Sequence, residues 1–338
     1  MDTIHIALAF CDKSGSYTRH AAVTIASVLK NTKSKVCVHI LHDETLTDRN
    51  RKMLNQMAES FSQEFDFINV TEAMSIFLAE KDLDKYTSGP ERGMFFRLLM
   101  PRLIKADKAV YLDCDVIVDM DIRELWEINL DNKSLAAVKD VWSLDYIENG
   151  KKLSKRLEML WDSLNIPYTS YFNSGVLLMN LKKIKSDYNI CDSVIDFFRE
   201  FNKAVLLPDQ DFLNYVFRDD CVYIDERFNS IRTGAITKDN YRNKIWHLAG
   251  GAKPYRVYSR PYVDELYWRY FMLTPYCPDT DTLIHTIMTD LSSPRYMHLH
   301  SSDCVKRLRR QIYENIFEGH IWYIFPMFID KVKKTFKR

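Results

Sequence analysis

The stretch Ala109-Val-Tyr-Leu-Asp113-Cys114-Asp115-Val116 decides how this chain is read. An apolar run of strand character ends in two carboxylates one residue apart. In open α/β sheets, ligands bind outside the carboxyl ends of the strands, so both acids fall where a ligand would sit. A pair of carboxylates suits a hard divalent cation, which in turn neutralises a diphosphate. The same two acids also read as turn caps after a strand, so the meaning of the motif depends on what surrounds it.

Upstream, strand-like runs at Ile4–Phe10, Val36–Leu41 and Phe65–Val70 alternate with amphipathic segments at Ala21–Leu29 and Asp48–Phe61. This alternation predicts a mostly parallel sheet covered on both faces, an α/β scaffold of nucleotide-binding type. Downstream the pattern becomes mixed, with strands expected at Leu135–Val138, Gly175–Met179, Val222–Ile224 and Ile245–Leu248. From about Arg256 aromatics and charges dominate, and Tyr267–Leu273, Val305–Phe317 and Asp330–Arg338 read as helical pieces. The expected division is a catalytic domain over residues 1–255 and a C-terminal helical extension over 256–338.

Composition narrows the partners. Lys and Arg number 47 against 46 Asp and Glu, a formal charge of +1, so no global field steers the chain toward nucleic acid and a charged ligand needs a local site. The seven cysteines are scattered, without a C-x-x-C pair. That argues against a zinc ribbon or a disulfide framework and for a reducing, cytoplasmic compartment. No window approaches the roughly 20 apolar residues of a spanning helix. The aromatic run Ile321–Ile329, followed by Lys331, Lys333, Lys334, Lys337 and Arg338, suits peripheral contact with an anionic membrane surface; packing on the catalytic domain is the alternative.

Two further clusters bear on chemistry. Trp246-His247-Leu-Ala-Gly250-Gly251-Ala-Lys253-Pro254-Tyr255 is an apolar run entering a glycine-rich turn. Glycines admit close approach to phosphate oxygens and the lysine adds a point charge, though an ordinary turn reads the same way. The segments Tyr171-Phe-Asn173-Ser-Gly175 and Leu207-Pro-Asp209-Gln210-Asp211 bring short polar groups to the edges of apolar runs, as a sugar site requires. Asp209 and Asp211 also suit helix capping, the reading preferred for Asp211.

Four motifs, Tyr111-Leu-Asp-Cys-Asp115, Phe172-Asn-Ser-Gly-Val-Leu-Leu-Met-Asn-Leu181, Pro208-Asp-Gln-Asp-Phe-Leu-Asn214 and His247-Leu-Ala-Gly-Gly-Ala-Lys-Pro-Tyr255, occur here in order. Together they resemble the retaining glycosyltransferases of family 8, which include bacterial lipopolysaccharide galactosyl- and glucosyltransferases and glycogenin. The resemblance spans about Ile4 to Tyr255 and implies a GT-A fold, a Rossmann-like mixed sheet. It implies transfer of a hexose, glucose or galactose, from a UDP-sugar to a glycan, lipid-linked or protein acceptor. It implies Mn²⁺, or Mg²⁺ in its place, on Asp113, Asp115 and His247, with Lys253, Gly250 and Gly251 on the diphosphate. Asp12 and Tyr17 would face the uridine, and Cys114 would join the donor contacts. Arg97, Asp140, Asn173, Asp209 and Gln210 would surround the sugar, with Gln210, Asp209 and Lys253 carrying catalysis. Tyr255 stands where many members have Trp. Competing readings are a non-catalytic UDP-sugar-binding scaffold and a haloacid dehalogenase-type phosphohydrolase with Asp113 as nucleophile.

Overall fold

The computed structural model describes residues 2–150, 155–201, 204–231, 236–251, 253–256 and 260–291. The helical pieces expected at Val305–Phe317 and Asp330–Arg338, and the aromatic and basic end from Ile321, lie outside these residues.

Strands β1 (Ile4–Phe10), β2 (Val36–His42), β3 (Glu64–Asn69) and β4 (Ala109–Leu112) run parallel in the order β3-β2-β1-β4. Side chains of β1 divide strictly by the two-residue period of a strand. Ile4, Ile6, Leu8 and Phe10 enter one core, while Ala7, Ala9 and Cys11 enter the other. A strand buried on both faces is therefore nearly all apolar, which is why its sequence does not alternate with polar residues. Helices α1 (Thr18–Asn31) and α2 (Asp48–Phe61) make the crossovers. Eleven of the fourteen residues of α1 are buried, because a second helix, Val263–Phe271, lies against it. Val263, Leu266, Tyr267, Tyr270 and Phe271 join the same core as α1, so the segment after residue 256 begins as part of that core.

The second half of the sheet turns mixed. Strand β7 (Phe172–Met179) is antiparallel to β4, β6 (Leu135–Lys139) is antiparallel to β7, and β8 (Cys221–Tyr223) is parallel to β6, which completes the order β3-β2-β1-β4-β7-β6-β8. The strand expected at Ile245–Leu248 does not join this sheet. It forms β9 (Ile245–His247) in a two-stranded antiparallel ribbon with β5 (Val116–Val118), a strand absent from those expected from the sequence. The chain leaves the main sheet after Leu112, turns through Asp113–Asp115 and resumes in the ribbon. Among the described residues, no helix is long and apolar enough to cross a membrane.

This topology selects one edge of the sheet. The carboxyl ends of β1, β4 and β6 and the amino end of the antiparallel β7 all meet there, which collects Asp12, Asp113, Asp140 and Asn173.

Candidate active site

Asp113 and Asp115 flank the break between β4 and β5. The ribbon pairs Val116 with His247, and the Leu248 N–H donates to the Asp115 carbonyl at 2.9 Å. Strand pairing therefore carries the histidine across 132 residues of sequence to the two acids. His247 Nε2 lies 3.7 Å from Asp113 Oδ2 and 3.5 Å from Asp115 Oδ1. One ligand atom from each of the three lies within 4.8 Å of the others.

The histidine is oriented by a chain of amides. His247 Nδ1 donates to Asn229 Oδ1 (3.0 Å), Asn229 Nδ2 to Asn173 Oδ1 (2.9 Å), and Asn173 Nδ2 to Asp140 Oδ2 (3.0 Å). With Nδ1 occupied, Nε2 is the nitrogen presented to the carboxylates, the arrangement by which proteins fix a metal-binding imidazole. Gly175 completes the enclosure. A Cβ at this position would stand 2.2 Å from His247 Cε1 and 2.9 Å from Asp113 Oδ2, and the Gly175 carbonyl accepts from the Asp113 N–H at 2.8 Å. The space between ligands thus depends on an absent side chain. Two hard carboxylates, one imidazole and this cradle fit a divalent cation.

Around the triad the charges are strongly constrained. Arg97, on the 3-10 stretch Pro90–Leu99, donates to Asp113 Oδ1 at 2.6 Å, to the Ser174 carbonyl at 2.9 Å and pairs with Asp209 Oδ2 at 3.2 Å. Its guanidinium also covers the Tyr111 ring, whose hydroxyl donates to Asp113 Oδ1 at 2.8 Å. Burial works against the Arg97 charge, and the carboxylates of Asp113 and Asp209 more than offset it. Asp209 is pushed up by burial in spite of Arg97, and Asp140 is pushed up by burial in spite of its amide donors. Burial would also raise Asp115, but the Lys253 ammonium and His247 override it and hold this carboxyl well below its usual range. Lys253 is itself buried, with Nζ on Asp115 Oδ2 and on the Leu248 carbonyl.

The other expected residues separate into two groups. Gln210 belongs to the site: its Oε1 accepts from the Ser174 N–H at 3.0 Å and its Nε2 donates to Asp140 at 3.3 Å. Gly250 adopts φ +78°, a left-handed turn that favours glycine, and both Gly250 and Gly251 border open space. The carboxylate of Asp12, the residue expected to face uridine, is hydrogen-bonded within the protein. It accepts from the Tyr17 N–H (2.7 Å), the Thr18 hydroxyl and N–H, and Asn50 Nδ2 (2.9 Å), satisfying the orphan donors that open α1. Tyr17 remains 38% exposed beside it. The Cys114 thiol points into the core toward the Ala9 carbonyl, and burial pushes it well above the ordinary range, so only its backbone faces the turn. Asp211 lies within the first turn of helix Pro208–Phe217, not ahead of it, and reaches back to the N–H groups of Leu206 (2.7 Å) and Leu207 (2.8 Å).

Residues 6–257 match the sequence profile of glycosyl transferase family 8. The chain belongs to glycosyl transferase family 8. Among relatives, a Haemophilus influenzae protein assigned by name to the glycosyltransferases is 30% identical over 248 residues, which is 68% of this chain and 70% of that one. The Escherichia coli K12 lipopolysaccharide 1,2-glucosyltransferase is 28% identical over half of each chain. The galactosyltransferase LgtC, crystallised with donor and acceptor sugar analogues, superimposes with a TM-score of 0.64 over 80% of this chain and 96% of its own, at 23% identity. The fold is GT-A. Membership of family 8 sets aside the phosphohydrolase reading of Asp113.

The part that several residues play at this family 8 site escaped sequence reasoning. Asn229 sits in no recognisable motif and matters only because the 3-10 turn Glu226–Phe228 and β9 place it behind His247. Tyr111 reads as a core strand residue, yet its hydroxyl reaches Asp113. Tyr255 stacks on His20 at 3.7 Å, and His20 Nδ1 bonds the Tyr267 hydroxyl at 2.7 Å. The turn that carries Lys253 is thereby fastened to α1.

Proposed function

We propose that this family 8 enzyme moves a hexose, glucose or galactose, from a UDP-sugar to a glycan, lipid-linked or protein acceptor in the cytoplasm, with retention of configuration and with Mn²⁺ on Asp113, Asp115 and His247. The observation that carries the reading is the convergence of those three ligand atoms beside a buried lysine at the ligand-binding edge of the sheet. A bound cation of this kind supplies Lewis-acid neutralisation of the donor diphosphate.

The chain's own groups account for the rest. Lys253, beside Asp115, would meet the diphosphate of a bound donor, where a positive charge stabilises the leaving group most as its charge develops. Asp140 and the Ser174 N–H fix the Gln210 amide. An amide carbonyl is a poor nucleophile but stabilises positive charge on an oxocarbenium-like sugar, which favours same-face attack over a covalent sugar-enzyme. Asp209 is tied to Arg97 and serves as a positioning group for the sugar. A phosphate oxygen of the leaving nucleotide takes the proton of the acceptor hydroxyl.

UDP release from a panel of UDP-sugars with Mn²⁺, with proton NMR of the product anomer, tests the proposal. Release from one hexose donor and a product of unchanged anomeric configuration are expected. Tight UDP-sugar binding without turnover across acceptors would favour the scaffold reading, and an inverted product would overturn the mechanism.

A further inference from the structure

At the opposite end of the same sheet, the amino ends of β1, β2 and β3 bring together a second set of metal-ligating side chains. The register pairs His5 with Cys37, Cys37 with Glu64, and His39 with Asp66. Directly paired residues, and residues two apart on one strand, share a face. All five side chains therefore project from one side of the sheet. Ligand atoms of His5, Cys37 and His39 lie within 4.8 Å of one another. Along β1, seven residues separate His5 from Asp12, about 23 Å at strand rise, so this cluster is remote from the Asp113 triad.

We propose that His5, Cys37 and His39 form a second divalent-cation site selective for zinc, with Glu64 at hand as a fourth ligand. The donor chemistry sets the selectivity. A thiolate with two imidazoles suits Zn²⁺, whereas the oxygen-rich triad at the other end of the sheet suits manganese or magnesium. The orienting contact is also in place. His39 Nδ1 donates to Asp66 Oδ2 at 2.9 Å, which leaves Nε2 as the ligating nitrogen, the carboxylate–histidine–metal arrangement. Glu64 bears electrostatically on both His5 and Cys37, and Asp66 on Cys37. These two carboxylates lie beside the cluster in the strand register, and with the thiolate they would offset the charge of a bound dication.

His5 Nδ1 and His39 Nε2 face each other at 2.9 Å across one proton, with an angle of 18° between their ring planes. Two nitrogens on one tetrahedral zinc, at about 2.0–2.1 Å each, stand roughly 3.3 Å apart. Binding therefore needs His5, the most exposed of the three, to tilt away by a few tenths of an ångström and carry its hydrogen on Nε2. Burial pushes the Cys37 thiol up to about 11, so one proton leaves the sulfur as the zinc–sulfur bond forms and is released to solvent.

Cobalt(II) is the probe, because only a thiolate ligand gives an intense ligand-to-metal band in the near ultraviolet and the Asp113 triad contains none. Titration of the reduced full-length protein with Co²⁺ should produce that band, and one equivalent of Zn²⁺ should erase it. The band should vanish in Cys37→Ser and persist in His247→Gln, which removes only the distant imidazole. Asp66→Asn, which keeps all three ligands, should weaken zinc about 10–100-fold, a change that a purely structural hydrogen bond would not produce. If Cys37→Ser fails to fold by circular dichroism, His5→Gln at the more exposed position replaces it. No band in the wild-type protein, or a band that survives loss of the ligand, overturns the proposal.

Discussion

Gly175→Ala isolates the geometry of the Asp113–Asp115–His247 site from its chemistry, because it alters no ligand. The new Cβ would lie 2.2 Å from His247 Cε1 and 2.7 Å from Nδ1. Carbon–carbon contact is comfortable from about 3.5 Å, so the ring must retreat by more than an ångström. It cannot do so freely, since Asn229 holds Nδ1 and β5 holds the backbone. Overpacking of this kind costs about 1–3 kcal/mol of stability. Catalytic geometry tolerates far less: a displacement near 1 Å costs about 10²-fold in rate, and metal-ligand distances tolerate about 0.2 Å. The expected result is a folded variant with Mn²⁺ affinity and UDP-sugar turnover both reduced by about 10²-fold or more. Manganese binding by electron paramagnetic resonance and UDP release measure the two effects. Gly175→Ala with metal binding and turnover within about threefold of wild type would falsify the claim that this glycine shapes the cation site; so large a displacement at the ligands costs about 10²-fold.

Asp115→Asn should abolish metal-dependent transfer while circular dichroism shows the fold intact, and full activity of the wild type in excess chelator would contradict the metal assignment. Arg97→Met leaves the buried Asp209 and the partly buried Asp113 without their shared cation, so chemical denaturation should show a loss of about 3–5 kcal/mol; a loss below about 1 kcal/mol, the scale of exposed pairs, would show that the pair is solvated. Lys253→Ala should lower turnover more than UDP-sugar affinity, and the reverse split in kinetics and calorimetry would assign the lysine to ground-state binding. Asp211 is raised to about 6 by burial, which outweighs the donors Tyr171, Leu207 and Leu206. Its proton is held more tightly in the folded state, so the stability it confers is full below the unfolded value of 3.8 and is lost as pH rises toward about 6. Relative to Asp211→Asn, wild-type stability from urea titrations should therefore decline between pH 4 and 6 and level off above; a flat difference would contradict the shift.

The sequence alone determined the parts of this protein that depend on local order. Period and composition located β1, β2, β3, β4 and the two crossover helices, because a strand buried on both faces leaves an apolar run, an edge strand such as β3 alternates, and a crossover helix places apolar residues at helical spacing. The acids of Asp113-Cys-Asp115, the turn at Gly250 and the family motifs were equally legible, since short-range chemistry is written in adjacent residues. What tertiary structure decided was which distant groups meet. The β5–β9 ribbon, itself hidden within longer apolar runs, puts His247 beside Asp113 and Asp115. Antiparallel β7 turns Asn173 and Gly175 to the same edge, and Asn229 acquires a role only by standing behind His247. Burial assigned the remaining partners: Asp12 closes the start of α1, the Cys114 thiol faces the core, and Lys253 sits on Asp115. A buried charge must be satisfied by whatever the fold brings within about 3 Å, the reach of a hydrogen bond. That requirement is set by packing among elements far apart in the chain, and no local pattern records it.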